Sequence, residues 1–597
     1  MLKKKYTLSF ILLIFSIAVS AQQEDKDFNT ADSLIKVNQF EKSIALLDKL
    51  ISTYGEKEKY LTNRGFAYMQ LNDVEKAKLN YERAIALNPG CTKCMGNLGI
   101  IESGNNNYEK ATGYFNQYIK LEPAKPLGYI KRGEIESQLG QYEAALTDLN
   151  KALELDVNSP YIYLWLAITK LSMGDTKAAL EDINRSIQIQ PNVEYAYFVR
   201  SKCYISLGQN QAAWTDLVSC LKKNPTFSEY HTYAGIVLYR LNEFDKASQA
   251  FNESIRLDAG SYMAYQQRSY LLFDRGKFEE ACSDKATAKA LLGKESFENA
   301  AVKEITEDIN KYCNNSHAGF YLSRGNTLFA LGQYEKAGQV LDEGIAKFNN
   351  DPSLYNARGN SCIAMGKSRN ALDYYATCLV NINKLDETAI ITKENPDKKT
   401  AKAFFVSELY NSIAYAHANL LNFDSAIINL SQSIKILIDN PSINDQPLIL
   451  SEYTAKRAAF YSFQEKYDAA NKDIAEALRI NPQCVTALLN RAVMLLNKNT
   501  IEQSKSNNMA AIAPPAAPPP YFFTTTTVKN LNRQEIINAV KDCDEAIKYQ
   551  PANAMAYLRR AQANIILKNN HYCADISTAR SLGVKDAAAM LGVTCTE

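Results

Sequence analysis

The chain has 597 residues, of which 46% are hydrophobic and 22% are charged. These proportions exclude a chain that is disordered throughout, and the length is too great for one hydrophobic core. The 67 Lys and Arg residues nearly balance the 65 Asp and Glu residues, and the one basic run is Lys3-Lys4-Lys5. The sequence therefore predicts no nucleic-acid partner.

Residues 1–21 predict a cleaved signal peptide. The three lysines precede an apolar run from Leu8 to Val19, and Val19-Ser20-Ala21 has the small residues of a leader-peptidase site. A membrane anchor is the alternative, but the apolar run is short for a span. No cysteine follows it, so no lipoprotein anchor is indicated. We predict cleavage after Ala21, export to the periplasm or the medium, and no membrane insertion of the mature protein.

The next part of the chain repeats with a constant period of about 34 residues, a known length for helical repeats. Small residues recur at this spacing. A series of alanines recurs at the same spacing, always at the same distance after the small residues, and a series of prolines shares the period. The three series are Gly65, Gly99, Gly133, Ala167, Ser201, Gly235 and Ser269; Ala77, Ala111, Ala145, Ala179, Ala213, Ala247 and Ala281; and Pro89, Pro123, Pro191 and Pro225. Three series in step indicate one repeated structural unit.

Each unit predicts a hairpin of two helices. Tyr142, Leu146, Leu149 and Leu153 recur at helical spacing, and a small side chain on each helix lets the two helices pack closely. The proline ends the second helix, because it lacks the N–H and its ring clashes with the preceding turn. Tight turns are marked by Gly140, Gly174, Gly208 and Gly276. One hairpin cannot bury its own apolar face, so neighbouring hairpins must stack.

This pattern resembles the tetratricopeptide repeat (TPR) family. The residues that carry the resemblance are Tyr129, Gly133, Gly140-Gln141-Tyr142, Ala145, Leu149 and Ala152. The resemblance covers nearly all of residues 24–583 as about fourteen units. It implies an all-α fold, a right-handed α-α superhelix (TPR solenoid), whose first helices line a concave groove.

Two stacked arrays with C-terminal caps are predicted. Ala281-Cys282-Ser283-Asp284 and Tyr572-Cys573-Ala574-Asp575 are each followed by an amphipathic segment that ends in a cysteine, Cys313 and Cys595. We expect the first array at 22–293 with about eight repeats, a cap or linker helix at 294–316, the second array at 317–583 with about six, and the second cap at 584–597. Cys282 with Cys313 and Cys573 with Cys595 are possible disulfides that would hold the caps.

Two insertions interrupt the second array. Residues 384–403 are predicted to be a polar spacer. Residues 499–533 form a proline-rich insertion within one hairpin turn, and they contain Tyr521, Phe522 and Phe523. Its composition is typical of a disordered loop, and the alternative is a docking loop whose aromatic side chains insert into a partner.

Nothing in the sequence indicates catalysis, a metal or a cofactor. The four histidines, His231, His317, His417 and His571, match no catalytic or metal-binding motif. Cys91-Thr92-Lys93-Cys94 has no second cysteine pair and no histidine nearby, so a structural thiol pair or disulfide is favoured over zinc or redox chemistry.

Arginines recur at one position of the repeat, and an aspartate often follows at a fixed offset in the second helix. The predicted pairs are Arg132 with Asp148, Arg200 with Asp216, Arg268 with Asp284, and Arg457 with Asp473. We expect an ion pair across each of these hairpins, of little energetic value if it is exposed.

The implied partner-binding groove contains mostly aliphatic and aromatic residues of the first helices. They are Tyr161, Leu164, Ile168, Phe198, Lys202, Ile205, Ile236, Tyr239, Tyr270 and Phe273. The alternative for each is packing between units. The sequence predicts a non-catalytic scaffold or adaptor of the cell envelope or secreted space that binds peptide or protein segments. An accessory subunit of a cell-wall or carbohydrate-processing enzyme system and a thiol-redox protein are the alternatives, and the oligomeric state is left open.

Overall fold

The computed structural model describes residues 22–292, 300–384, 398–498 and 532–591, with residues 593 and 595. Within these ranges the chain is helical and has no β-strand, which confirms the all-α prediction. The residues form two compact units, one up to Gln267 and the other from Arg268. The predicted signal peptide (1–21) and the predicted docking loop with Tyr521, Phe522 and Phe523 lie outside the described residues.

The helices of the first unit share a length of about four turns. In chain order they are α1 (22–36), α2 (Phe40–Tyr54), α3 (Glu58–Gln70), α4 (Val74–Leu87), α5 (Thr92–Gly104), α6 (Tyr108–Leu121), α7 (Pro126–Gln138), α8 (Tyr142–Leu155), α9 (Pro160–Ser172), α10 (Thr176–Ile189), α11 (Glu194–Ser206), α12 (Asn210–Lys223), α13 (Ser228–Arg240), α14 (Phe244–Leu257) and α15 (Tyr262–Asp274), which crosses the unit boundary.

The second unit is less regular, because several of its helices are longer. They are α16 (Phe278–Leu292), α17 (Ala300–Asp308) with the π-helical segment Ile309–Cys313, α18 (Ala318–Ala330), α19 (Tyr334–Lys347), α20 (Pro352–Ala364), α21 (Ser368–Lys384), α22 (Lys398–Asn419), α23 (Phe423–Asp439), α24 (Gln446–Phe463), α25 (Tyr467–Ile480), α26 (Val485–Lys498), α27 (Arg533–Tyr549), α28 (Ala554–Leu567), α29 (Tyr572–Ser581) and α30 (Ala587–Met590).

Consecutive helices pack as hairpins, as the repeat predicts. In the first unit α3 contacts α4 and α9 contacts α10, and in the second unit α22 contacts α23 and α24 contacts α25. The hairpin of α26 and α27 also closes, although residues 499–531 lie between its helices. Each second helix ends just before a proline wherever the series predicts one, for example at Leu87 before Pro89.

The turn inside each hairpin requires a residue with a positive φ angle. From α1 to α16 these residues recur once in every repeat, and their φ angles lie between 57° and 88°. They are Asn38, Asn72, Asn106, Gly140, Gly174, Gly208, Asn242 and Gly276. The sequence analysis identified only the glycines, yet asparagine also tolerates the left-handed conformation. Between α1 and α16 the turn position is therefore occupied by one of these two residue types, whereas Leu421 and Glu465 take it in two hairpins of the second unit.

Close packing within each hairpin depends on the small residue of the first helix. A Cβ atom added to Gly99 would lie 2.6 Å from Cζ of Phe115, and one added to Gly65 would lie 2.9 Å from Cε1 of Tyr81. In both hairpins the larger residue occupies the same position of the second helix. Where the small residue is alanine, that position holds a smaller aliphatic residue, for example Ile183 opposite Ala167. The two positions are matched in size.

The segment that follows α16 packs against that helix. Lys285 is 1% exposed, and its Nζ lies 2.6 Å from Oδ2 of Asp308 in α17. Its ammonium group also lies 4.1 Å from the ring centroid of Tyr270. Because an unpaired buried charge is costly, the aspartate and the ring allow a lysine where most other hairpins have an apolar residue.

Both expected disulfide pairs are joined in the structure. Cys282 is bonded to Cys313 at the end of the π-helical segment, and Cys573 is bonded to Cys595 near the chain end. In each pair the two Cα atoms are 5.6 Å apart, which is within the normal range for a disulfide. Each bond ties the segment after the last hairpin of its predicted array to the helix before it.

The predicted spacer at 384–403 is too long at its C-terminal end. Residues 398–403 belong to α22, and Ala401 is 0% exposed. The polar composition of these residues gave no sign that they form the first turns of α22. Ala401 lies on the buried face of that helix. Residues 385–397 lie outside the described residues, and the predicted array boundaries remain predictions. No helix in the described ranges has the length and hydropathy that a membrane span requires.

The predicted Arg–Asp pairs are confirmed, and they are less exposed than expected. Asp216 is 4% exposed, and its two carboxylate oxygens accept hydrogen bonds of 2.7 Å from Nε and Nη2 of Arg200. Arg491 makes the same two-bond contact with Asp542, across the long insertion. Bidentate bonds of this kind are stronger than single surface ion pairs. The pairs therefore contribute to holding each hairpin closed.

We expect Gly99→Ala to destabilise the hairpin of α5 and α6. The new methyl group would lie 2.6 Å from Cζ of Phe115, whose side chain is 0% exposed. Overpacking of this kind costs about 1–3 kcal/mol. Hydrogen exchange of the α5 and α6 amides should therefore speed up. Gly104→Ala in the same helix is the control, since a Cβ there meets nothing within 4 Å. Equal exchange rates in the two variants would contradict the packing constraint.

We expect Asp216→Asn to lower the stability of the α11–α12 hairpin by about 1–3 kcal/mol, because Arg200 loses a charged bidentate partner. The measurement is the shift of the thermal unfolding midpoint together with amide exchange in α12. Glu253→Gln is the matched control, because Glu253 also makes two bonds to an arginine, Arg256, but on the exposed surface of α14. The control should leave the midpoint unchanged. A comparable loss in both variants would show that burial does not matter here.

Candidate functional site

The first helices of neighbouring hairpins contact each other. In the first unit α5 contacts α7, α7 contacts α9, α9 contacts α11, and α11 contacts α13. In the second unit the same holds for α18 with α20, α20 with α22, α24 with α26, and α26 with α28. We call the surface that these helices form in each unit its first-helix face. It brings together side chains that lie one or more repeats apart in the sequence.

Exposed apolar side chains mark the first-helix face of the first unit. Leu127 is 37% exposed, Tyr161 is 53% exposed and Tyr195 is 38% exposed, and Phe66, on the earlier first helix α3, is also 37% exposed. The sequence analysis found Tyr161 and missed the others. Leu127 and Tyr195 lie one repeat before and one repeat after Tyr161, so the repeat spacing itself would have identified them.

Three of the predicted groove residues are core residues instead. Leu164 is 5% exposed, Phe198 is 0% exposed, and Ile205 is 8% exposed. The ring centroid of Phe198 lies 4.9 Å from that of Tyr230 and 5.1 Å from that of Tyr233, in the next hairpin. These three side chains therefore pack between units, which is the alternative that the sequence analysis gave. A Phe198→Asp variant would report on folding and not on partner binding, because the side chain is buried.

Four of the predicted groove residues of the first unit are half-buried, and one of them is a lysine. Ile168, Lys202, Ile236 and Tyr239 are neither buried nor fully exposed. Nζ of Lys202 lies 5.1 Å from the ring centroid of Tyr233 and 3.9 Å from Oε1 of Glu229. Burial raises the pKa of the Glu229 carboxyl, and it raises the pKa of Tyr233 to about 12. The region therefore combines one cation with aromatic and aliphatic surface.

Tyr270 and Phe273 pack against the segment that follows α16. The hydroxyl of Tyr270 lies 3.2 Å from Oδ2 of Asp308. The ring centroid of Phe273 lies 5.0 Å from that of Phe278 and 5.6 Å from that of Tyr312. Both residues remain half-buried, so these contacts give them a packing role and their place in the groove stays a prediction.

The second unit contains a cavity of 270 Å³ on its first-helix face. Residues from five successive first helices, α18, α20, α22, α24 and α26, line it, with two residues from second helices. The lining consists of Phe329, Asn360, Ile363, Tyr375, Asn411, Ser412, Ala414, Tyr415, Leu430, Lys456, Ala459, Phe460, Thr486 and Asn490. Apolar side chains thus alternate with amides and hydroxyls along the cavity.

Hydrogen bonds fix several of the polar lining groups. Oδ1 of Asn360 accepts a 2.7 Å bond from the hydroxyl of Tyr375, and Nδ2 of Asn490 donates a 2.8 Å bond to the carbonyl of Ala455. The remaining polar atom of each oriented amide can bond to a ligand. Burial raises the pKa of Tyr415, so this phenol stays protonated and neutral at neutral pH. Lys456 supplies the positive charge of the lining.

The sequence analysis missed this cavity, although a signal for it exists. Asn360, Tyr415 and Ala459 each follow directly the small residue of their own hairpin. Ile168 and Lys202, two of the predicted groove residues of the first unit, hold the same position after Ala167 and Ser201. The sequence analysis assigned groove residues to the first array alone, so it did not examine this position in the second unit.

The Cys91–Cys94 pair forms a disulfide at the start of α5. Cys91 is 5% exposed and Cys94 is 0% exposed, whereas a thiol-redox protein requires an exposed thiol. Glu58, at the start of α3, lies beside both sulfur atoms. The three side chains form a group that could hold a metal ion, and the sequence analysis did not anticipate the carboxylate.

Family models match several parts of the chain. Models described as tetratricopeptide repeat match residues 58–91, 160–193 and 461–518, and one described as TPR repeat matches residues 133–174. The chain is a tetratricopeptide repeat protein. Proteins with such repeats generally act as protein–protein interaction scaffolds and are typically non-catalytic.

Two solved structures illustrate the similarity of this TPR protein to others, and no curated protein matches its sequence. A tetratricopeptide repeat protein from Parabacteroides merdae ATCC 43184 is 17% identical, with a TM-score of 0.36, over 42% of this chain and 99% of its own. A thermophilic TPR protein in Thermus thermophilus is 24% identical, with a TM-score of 0.28, over 31% of this chain and 98% of its own.

Proposed function

We propose that this TPR protein is a non-catalytic scaffold that binds an extended segment of a partner protein along the first-helix face of its second unit. The cavity lined by five successive first helices is the observation that carries the proposal. A cavity built by several helices in a row suits an elongated ligand better than a compact one. Its volume of 270 Å³ accommodates a few side chains of such a segment.

The lining chemistry supports a polypeptide ligand. Asn360, Asn411 and Asn490 carry amides that both donate and accept hydrogen bonds, as a peptide main chain does. Phe329 and Phe460 offer apolar surface for side chains of the segment.

Lys456 gives the cavity lining a positive charge, which favours a ligand with a negatively charged group. Lys456 would favour an acidic group, since its ammonium is 3.8 Å from Glu452 and therefore only loosely paired. The proposed ligand is a segment with apolar residues and at least one carboxylate.

The first unit supports a second contact with the same or another partner. Tyr161 and Tyr195 are exposed on its first-helix face, and Lys202 lies among aromatic rings nearby. Exposed tyrosines contribute large contact areas to protein interfaces at a low cost in side-chain entropy. We assign the main binding role to the second unit, because its cavity combines side chains from five successive first helices.

We also propose that the scaffold works outside the cytoplasm, in the cell envelope or the secreted space. The support is the basic and apolar pattern of residues 1–21 together with the three disulfides, since disulfides persist in oxidising compartments. The partner is then an envelope or secreted protein.

Photo-cross-linking tests the binding proposal. A benzophenone amino acid replaces Phe329 at one end of the cavity, and the full chain is irradiated in the envelope fraction of its native host. We expect a discrete cross-linked partner protein. Asn411→Trp should abolish this product, because the indole fills the cavity from α22. Asn411 suits this purpose because it is half-buried within the lining.

The matched control places the same benzophenone at Ile428, which is 60% exposed on the second helix α23. It should give no product, and Ile428→Trp should not affect cross-linking at position 329. An equal product from position 428, or a product that survives Asn411→Trp, would count against the cavity as the binding site. Circular dichroism of each variant verifies that the helices are retained.

The export proposal predicts a mature chain that begins at Gln22. Mass spectrometry of the protein isolated from its native cells should show the loss of residues 1–21, because the small residue Ala21 precedes the expected cut. Ala21→Phe should block processing and leave the uncut chain. An intact N-terminus in the wild-type protein from the envelope fraction would contradict the proposal.

A further inference from the structure

We propose that the reduced Cys91–Cys94 pair, together with Glu58, binds a soft divalent cation of the Zn²⁺ type. The site lies at the joint between two consecutive hairpins of the first unit. Cysteine thiolates and a carboxylate are ligands that Zn²⁺ and Cd²⁺ accept readily. This role is separate from the binding of partner proteins, since neither cysteine belongs to the exposed residues of the first-helix face.

The fold brings the three ligands together from two helix starts. Glu58 is the first residue of α3, and Cys91 is the residue that caps the N-terminus of α5. Oε1 of Glu58 lies 3.1 Å from Sγ of Cys91, and the ligand atoms of all three residues lie within 4.8 Å of one another. The Cα atoms of the two cysteines are 5.4 Å apart. After reduction, all three side chains therefore start within reach of one cation.

Groups around the ligands already orient them. The hydroxyl of Thr62 donates a 2.8 Å hydrogen bond to Oε1 of Glu58, and it lies 3.1 Å from Sγ of Cys94. The backbone N–H of Cys94 donates to Sγ of Cys91 at 3.3 Å. Metal ligands are typically held by such second contacts, which fix their direction and raise affinity. Thr62 thus acts as a positioning residue for the carboxylate.

The charge of the site suits a divalent cation. Two thiolates and one carboxylate would carry three negative charges, of which the cation neutralises two. The N-termini of α3 and α5 both lie at the ligands, where the positive ends of the helix dipoles stabilise the remaining charge. Cys91 and Cys94 are buried, whereas Glu58 is only half-buried and marks the side from which a cation can enter. The three protein ligands leave one coordination position for water.

This arrangement distinguishes the pair from the other two disulfides. Among the residues that the structure describes, only Glu58, Cys91 and Cys94 form a group of three potential ligands. Cys282 with Cys313 and Cys573 with Cys595 have no third ligand at comparable distance within those ranges. A sequence search for ligands near the Cys-x-x-Cys motif did not find the carboxylate, because Glu58 lies 33 residues before Cys91.

Cation binding and the disulfide exclude each other. A water-soluble phosphine reduces the disulfide by two electrons, takes an oxygen atom from water to become a phosphine oxide, and leaves two thiols. The cation then binds with release of the two thiol protons. The site is therefore formed only in the reduced protein, and the disulfide that the proposed oxidising compartment favours closes it.

The test titrates Cd²⁺ into the full chain after reduction with the phosphine, and follows the sulfur-to-cadmium charge-transfer absorption. We expect the reduced chain to bind one Cd²⁺ ion tightly, and the chain before reduction to show no such binding. Cys91→Ala with Cys94→Ala should abolish it. Glu58→Gln should weaken binding about 10-fold or more, and Thr62→Val should weaken it about 10-fold to 100-fold through the loss of orientation. Zn²⁺ should compete with Cd²⁺ for the same equivalent.

The matched control is Cys282→Ala with Cys313→Ala, which removes a second pair that reduction also opens. This variant should keep the tight equivalent. The proposal is overturned if the reduced wild-type protein shows no absorption, if the absorption persists without Cys91 and Cys94, or if Glu58→Gln binds Cd²⁺ as tightly as the wild type. Should the double alanine variant at positions 91 and 94 not fold, Glu58→Gln decides, because it changes only a half-buried side chain.

Discussion

The structure depends on the close approach of two helices inside each hairpin. Gly99 allows Phe115 to lie against the helix backbone, and a methyl group at that position would overlap the ring. Size matching between such positions sets the distance between the helices, since protein interiors tolerate neither gaps nor overlaps. The paired residues change along the chain, from Gly99 with the aromatic ring of Phe115 to Ala167 with Ile183.

Segments outside the hairpins pack after α16 and after α29, and charge and covalent bonds hold them in place. Lys285 stands where most other hairpins have an apolar residue, and Asp308 from the following segment neutralises it. The disulfides of Cys282 and Cys573 fix the segments that follow α16 and α29. The sequence analysis predicts these segments as caps, because the terminal repeats of a stacked array have no neighbour that buries their apolar side.

The same repetition separates the places where the protein can bind other molecules. First helices lie side by side, so the cavity lined by Asn411 and Lys456 draws residues from five hairpins. The starts of two first helices meet at the joint between hairpins, so Glu58 lies beside Cys91. A partner segment would occupy the first kind of place and a cation the second, so the two roles do not compete for residues.

The sequence by itself determined the helical hairpins, their order and the Arg–Asp pairs, because each is a local or fixed-spacing pattern that one repeat reveals and the next confirms. It also indicated both cap disulfides. Only the tertiary structure decided which groove candidates are exposed: Phe198 is buried because the next hairpin places Tyr230 and Tyr233 against it. The structure alone likewise assembled the cavity and brought Glu58 to the cysteine pair. Burial and ligand geometry depend on how neighbouring hairpins pack, and the spacing of residues along the chain does not specify that packing.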